Sequence, residues 1–209
     1  MALDSVIFDN TVFNYFLRLK TVNLELICRS LIKEKVLIPS QIVVEMERLA
    51  QIEPQFLPKI NKWIELSYRK SFYQFCDTFD SIIFETVSKK LDIGEAGAIA
   101  QAEKTRVRWF ISDDIKNLPF ITQNYNNIRV YSIYFLICLA DISGLLADYN
   151  VVIKEFLAIR KYSYFNSKTR KQFKASLRYE YTEALKLYGI SYNKKLISRK
   201  TSIDTILKN

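Results

Sequence analysis

The sequence contains no histidine among its 209 residues. This absence excludes Ser-His and Cys-His nucleophile pairs, imidazole general bases and zinc sites that use histidine ligands. Cysteine is also scarce. Cys28, Cys76 and Cys138 are isolated, odd in number and without a Cys-x-x-Cys spacing, so they are predicted to be buried small hydrophobes rather than a disulfide framework or a zinc site. Carboxylates are the groups left for chemistry.

Glycine and proline are rare, with four of each, which indicates helices joined by short connections. The longest apolar segment, 130–140, is well short of the ~20 residues of a membrane-spanning helix, so no membrane association is expected. Asp4 and Asp9 interrupt the N-terminal stretch, which therefore lacks the pattern of a signal peptide. We expect a cytoplasmic protein.

Apolar runs alternate with helical patterns along most of the chain. Buried strands are predicted at 6–8, 36–38, 107–111 and 128–131, and helices at 11–19, 24–33, 41–50, 72–90, from 94, from Ile115 and at 133–146. Asn10 or Thr11 is expected to cap the first helix and Ser40 the third. Segment 63–68 alternates like a strand, although a helix over 56–66 fits it as well. Such alternation predicts an α/β fold with a parallel sheet flanked by helices.

Four acidic residues end apolar runs or lie just inside the helix that follows, namely Asp9, Glu45, Glu95 and Asp114. In an α/β protein these places belong to the carboxyl edge of the sheet, where ligands bind. Two carboxylates a few ångströms apart repel by about 4 kcal/mol at an effective dielectric constant near 20, so a group of them is costly without a cation. Oxygen ligands without histidine or cysteine favour Mg²⁺ or Mn²⁺.

Each acid also has an ordinary alternative role. Asp9 and Glu95 suit helix caps or dipole partners, and Glu45 suits a solvated helix surface. Asp114 and its neighbour Asp113 suit a turn. Asp92 is expected to cap the helix that carries Glu95.

The four acids resemble the acidic set of the PIN-domain nucleases in type and order. In that family an Asp ends the first strand, a Glu lies on the helix after the second strand, an acid opens a later helix and an Asp follows a later strand. The most specific match is Gly94-Glu95-Ala96 followed by Asp113-Asp114, which is similar to a motif pair of a prokaryotic PIN subgroup. The resemblance covers roughly residues 5–160.

This resemblance implies a PIN-like nuclease domain at 1–160 that cuts RNA with Mg²⁺ or Mn²⁺. Asp9, Glu45, Glu95 and Asp114 would be catalytic and would bind the metal, with Asp113 as a neighbouring ligand and Thr11 in support. The resemblance also implies the toxin of a toxin-antitoxin pair, with an antitoxin protein as partner. The competing hypothesis is a catalytically inactive PIN-fold protein that binds nucleic acid or has a structural role.

Residues 161–209 form a basic, aromatic-rich extension that is predicted to be helical. It contains twelve lysines and arginines against Glu180, Glu183 and Asp204, and so accounts for the net charge of +9. Its cations and aromatic rings suit phosphates and unpaired bases, and the predicted nucleic-acid contacts are Lys168, Arg170, Lys171 and Lys174. The alternative rests on the helical spacing of Phe173, Leu177, Tyr181 and Leu185, which predicts packing on the core or on a second subunit in a homodimer.

Overall fold

The computed structural model describes residues 3–68, 72–77, 79–114 and 118–190. The predicted helix start at Ile115 and residues 191–209 of the basic extension lie outside these ranges. The chain divides into two compact units. Of the described residues, the sheet unit comprises those within 3–17 and 32–132, and the helical unit comprises those within 18–31 and 133–190. The predicted division after residue 160 stays a prediction.

Each strand is followed by one or two helices up to α8. In chain order they are β1 (Val6–Phe8), α1 (Asn10–Arg18), α2 (Leu24–Leu31), β2 (Val36–Pro39), α3 (Ser40–Ile52), α4 (Leu57–Tyr68), β3 (Tyr73–Cys76), α5 (Ser81–Val87), α6 (Ile93–Thr105), β4 (Trp109–Ile111), α7 (Leu118–Asn124), β5 (Arg129–Tyr131), α8 (Ile133–Ile142), α9 (Tyr149–Ile159) and α10 (Ser167–Leu187), with short 3₁₀ turns at Pro54–Phe56 and Tyr162–Tyr164.

The five strands form one parallel sheet in the order β3-β2-β1-β4-β5. The central strand β1 is buried at every position, which explains its continuous apolar sequence, because both faces of a parallel sheet are covered. Ile7 belongs to a buried cluster with residues of α5, α6 and α7. The ring of Phe8, its neighbour in the strand, lies 6.1 Å from that of Phe13 and 6.0 Å from that of Phe16 on α1. Alternate side chains therefore pack on opposite faces.

The α/β prediction and the parallel sheet are confirmed, but three local predictions need correction. For segment 63–68 the strand is wrong and the helical alternative is right, because the segment is part of α4, where Ile60 and Trp63 face inwards at helical spacing. The predicted helix 72–90 begins instead with the edge strand β3, and only Ser81–Val87 is helical. Ser40 is the first residue of α3 and makes no cap; Pro39 occupies the cap position.

The helical unit is held by α8, which is buried along almost its whole length. Helices α2 and α10 both contact α8, and the ring of Phe156 on α9 stacks on Phe173 at 6.3 Å. Asp141 of α8 is buried and accepts a hydrogen bond from the Tyr181 hydroxyl at 2.8 Å. Within the described residues, none of the helices is both long and apolar enough to cross a membrane.

The apolar face predicted for α10 is confirmed, because Phe173, Leu177, Tyr181 and Leu185 are all buried. Leu177→Ala should lower the free energy of unfolding by about 2–5 kcal/mol, since it removes buried methyl groups and leaves a cavity. Urea denaturation followed by circular dichroism measures this loss. Lys171→Ala on the exposed side of the same helix is the control, with an expected change within about 0.5 kcal/mol. Equal effects of the two changes would contradict this packing.

Candidate functional site

Three carboxylates meet at the carboxyl edge of the sheet. One oxygen from each of Asp92, Glu95 and Asp114 lies within 4.8 Å of the others. Asp92 stands before α6, and its side chain accepts the Glu95 backbone N–H at 2.9 Å, so it is the helix cap that the sequence predicts. This cap places Glu95 in the first turn, where its side chain is buried. Asp114 comes after the end of β4.

Asp9 is held in place by two hydroxyl groups. It directly follows β1, is buried, and its backbone N–H donates to the Ile111 carbonyl at 3.0 Å. Its Oδ2 accepts hydrogen bonds from Thr11 Oγ1 at 2.8 Å and from Ser112 Oγ at 2.9 Å. The predicted supporting role of Thr11 thus has a structural counterpart, and Ser112 is a second support that the sequence analysis missed.

The same hydroxyls also fix the chain after β4. Thr11 Oγ1 accepts the backbone N–H of Asp113 at 3.0 Å, and Ser112 Oγ accepts that of Asp114 at 3.1 Å. Each hydroxyl therefore donates to Asp9 and accepts from the chain that follows β4. The two hydroxyls thus link the Asp9 carboxylate to the backbone N–H groups of Asp113 and Asp114.

The charge of Asp92 contributes to the pKa shifts of both Asp9 and Glu45. Burial raises the pKa of Asp9 above its usual value, against the hydrogen bonds from Thr11 and Ser112, and the charge of Asp92 raises it further. Burial, followed by the charges of Asp9 and Asp92, raises the pKa of Glu45 to about 7. Asp92 therefore acts on both groups. We call Asp9, Glu45, Asp92, Glu95 and Asp114 the acidic site.

Glu45 reaches the site because the first turn of α6 contains a glycine. A Cβ on Gly94 would lie 2.6 Å from Glu45 Oε1, so the Glu45 carboxylate would have to move away, whereas its distance of 3.5 Å from Asp92 Oδ1 is an ordinary contact. Gly97, one turn later, likewise leaves room for the Gln41 amide of α3. The Asn10 side chain also makes a hydrogen bond with Glu45, and this bond opposes the rise in the pKa of Glu45. The glycines of the Gly-Glu-Ala-Gly sequence thus have a packing role.

The two adjacent aspartates take different positions. Asp113 is buried, and its Oδ2 accepts a hydrogen bond from the Tyr15 hydroxyl at 2.5 Å. It is not part of the group formed by Asp92, Glu95 and Asp114. Asp113, predicted as an additional metal ligand, thus makes a hydrogen bond to α1, and its role as a ligand stays a prediction. Asp92, predicted only as a helix cap, lies in the group with Glu95 and Asp114.

The cations of α10 differ in their surroundings. Lys168 and Lys171 are exposed. Arg170 is partly buried: its Nε donates to the Phe165 carbonyl at 2.9 Å and its guanidinium lies 5.2 Å from the centre of the Tyr162 ring. Lys174 is also partly buried. The two exposed lysines are thus the members of the predicted contact set that are best placed to meet a phosphate.

The acidic site has the donor chemistry of a hard divalent cation. Its ligand atoms are carboxylate oxygens, which suit Mg²⁺ and Mn²⁺. The raised pKa values of Asp9 and Glu45 show that burial and crowding disfavour their charged forms, and a bound cation would relieve this repulsion. Comparisons of the chain with protein-family models, curated proteins and solved structures found no significant match. Its function must therefore be inferred from its own residues.

The pKa of Glu45 predicts how stability depends on pH. The usual value for glutamate is 4.5, so between about pH 4.5 and 7 the folded protein binds more protons at Glu45 than the unfolded chain does. Stability of the metal-free protein should therefore fall through this interval as pH rises. Glu45→Gln should make the fall shallower in thermal unfolding curves, whereas Glu47→Gln controls for loss of an exposed carboxylate from the same helix. An unchanged slope in Glu45→Gln would contradict the raised pKa.

Proposed function

We propose that this protein is a metal-dependent endoribonuclease with a PIN-like fold. The observation that carries the proposal is the convergence of five interacting acidic residues at the carboxyl edge of a parallel sheet. The sheet and its packed helices are consistent with a PIN-like fold. RNA as substrate, a toxin role and an antitoxin partner rest on the resemblance of Gly94-Glu95-Ala96 and Asp113-Asp114 to the PIN motifs.

In this proposal Asp92, Glu95 and Asp114 hold Mg²⁺ or Mn²⁺, with Asp9 and Glu45 beside them. The bound cation supplies activation of water and stabilises the negative charge that develops on a phosphodiester. The protein's own contribution is to fix the carboxylates before substrate arrives. Thr11 and Ser112 orient Asp9, and Gly94 lets Glu45 approach. Such preorganisation lowers the cost of assembling charges during the reaction.

The adjacent aspartates give a matched test of this proposal. The purified protein should cut RNA with Mg²⁺ or Mn²⁺ and stop when EDTA is added. Asp9→Asn and Asp114→Asn should each lose about 100-fold or more in kcat, in keeping with the loss of a group that acts on developing charge. Asp113→Asn should retain most of the activity, because an asparagine oxygen can still accept the Tyr15 hydroxyl. Cleavage rates of an end-labelled RNA with each variant measure these effects.

Circular dichroism and thermal unfolding show whether each variant is folded. Undiminished cleavage in EDTA would reject the metal mechanism. A larger loss with Asp113→Asn than with Asp114→Asn would show that the wrong aspartate was assigned to the site. If the folded wild-type protein binds RNA but does not cut it with either metal, the inactive, nucleic-acid-binding alternative is favoured.

The exposed lysines of α10 are proposed to bind the RNA backbone. Lys168→Gln with Lys171→Gln should weaken RNA binding and reduce the slope of log affinity against log salt by about 0.7 for each phosphate of a single strand that the protein no longer neutralises. Fluorescence anisotropy of a labelled RNA at several salt concentrations, in EDTA to prevent cleavage, measures the slope. Lys59→Gln with Lys62→Gln removes the same charge from exposed positions on α4 as a control. Equal slopes in the two double variants would rule out direct contact by these lysines.

A further inference from the structure

The sheet unit also has a cleft that contains none of the residues of the acidic site. An open cleft with a volume of about 960 Å³ lies between the C-terminal end of α6 and the residues that precede β1, β2 and β4, with β3 along one wall. We call it the amino-edge cleft. Its size is within the range of small-molecule and cofactor sites.

The cleft is lined by four cations, Lys35, Lys104, Arg106 and Arg108. Lys35 Nζ donates to Gln74 Oε1 at 2.8 Å. The ion pairs between described residues do not include the other three cations. Lys104 and Arg106 stand at the C-terminal end of α6, where the helix dipole favours positive charge, and this accounts for part of the arrangement. The helix dipole does not explain Arg108, because this residue lies outside α6 and just before β4.

Three acids, Asp4, Glu34 and Asp77, also line the cleft. Glu34 accepts a hydrogen bond from Ser5 Oγ at 2.7 Å. The near balance of charge suits a site that holds one phosphate group.

The cleft contains a buried amide with a free acceptor. Gln101 lines the cleft and is 3 % exposed, yet its Oε1 accepts no hydrogen bond from the described residues. A buried acceptor without a donor is destabilising, and a ligand with N–H or O–H groups can satisfy the amide after a rotation of the side chain. The orphaned oxygen points to a ligand that is polar as well as anionic.

An aromatic pair stands on the β3 side of the cleft. The rings of Tyr68 and Phe75 lie 5.1 Å apart, and Tyr68 is 61 % exposed. Exposed aromatic rings beside cations provide a face on which a base can stack. The aromatic pair suits a base, the cations suit a phosphate and the buried amide suits a polar group. The cleft therefore offers contacts for the separate parts of a nucleotide.

We propose that the amino-edge cleft binds a nucleoside monophosphate group. Lys104 and Arg108 hold the phosphate, Tyr68 and Phe75 contact the base, and Gln101 hydrogen-bonds a polar group of the ligand. The group belongs either to a free nucleotide or to the end of an RNA strand. Glu95 and Lys104 lie about 14 Å apart along α6, a distance that two or three nucleotides span. The binding site itself does not depend on the proposed nuclease activity.

The test uses the full chain in EDTA, so that no cleavage is needed. Isothermal titration with AMP and with GMP should show one saturable site per chain, and adenosine should bind more weakly than AMP. Lys104→Glu with Arg108→Glu should weaken AMP binding about tenfold or more, and Gln101→Leu about threefold to tenfold. Lys59→Glu with Lys62→Glu makes the same charge change outside the cleft and should leave the affinity unchanged.

A 5′-phosphorylated triribonucleotide separates the two sources of the ligand. Tighter binding than AMP assigns the cleft to an RNA end, and equal binding assigns it to free nucleotides; either result supports the site. Absence of saturable binding by both AMP and GMP would overturn the proposal. So would equal affinity for AMP and adenosine, or an affinity for AMP that survives both the charge reversal and Gln101→Leu in folded protein.

Discussion

Repulsion between carboxylates is the constraint on which the acidic site depends. Two charges 4 Å apart cost about 4 kcal/mol near a protein surface, and five acids interact here. The fold offsets part of this cost with hydrogen bonds. The hydroxyls of Thr11 and Ser112 donate to Asp9, and the Asn10 side chain makes a hydrogen bond with Glu45. These contacts do not neutralise the group, because the pKa values of Asp9 and Glu45 stay raised. Repulsion within the acidic site therefore remains, and a bound cation would relieve it.

The loop after β4 shows how one chain segment divides adjacent acids between two tasks. The side chains of Asp113 and Asp114 make different contacts although the residues are adjacent. Asp113 accepts a hydrogen bond from Tyr15 of α1, while Asp114 lies with Asp92 and Glu95. The hydroxyls of Thr11 and Ser112 accept the backbone N–H groups of the two aspartates and so fix the backbone of this loop. A change at Tyr15 or Thr11 would thus act on the acidic site through backbone position, not through removal of a charge.

The parts of the fold that could be predicted from the sequence are those with one strong local signal. The apolar segment of β1 and the proline that ends β2 are of this kind. Strand β3 was missed because an edge strand is only partly buried, and its two middle residues, Gln74 and Phe75, weaken the apolar pattern. In the acidic site, Asp92 was assigned to capping alone. A carboxylate has two oxygens and about four acceptor positions, so Asp92 can cap α6 and at the same time lie beside the other acids.

Helix α6 explains why acids and cations collect at opposite ends of the sheet unit. Its N-terminus carries partial positive charge, which favours Asp92 and Glu95, and its C-terminus carries partial negative charge, which favours Lys104 and Arg106. The small residues between them let α3 and the sheet pack closely, so the helix is buried along most of its length and its dipole is poorly screened by water. The same element can thus concentrate a cation at one end and a phosphate at the other.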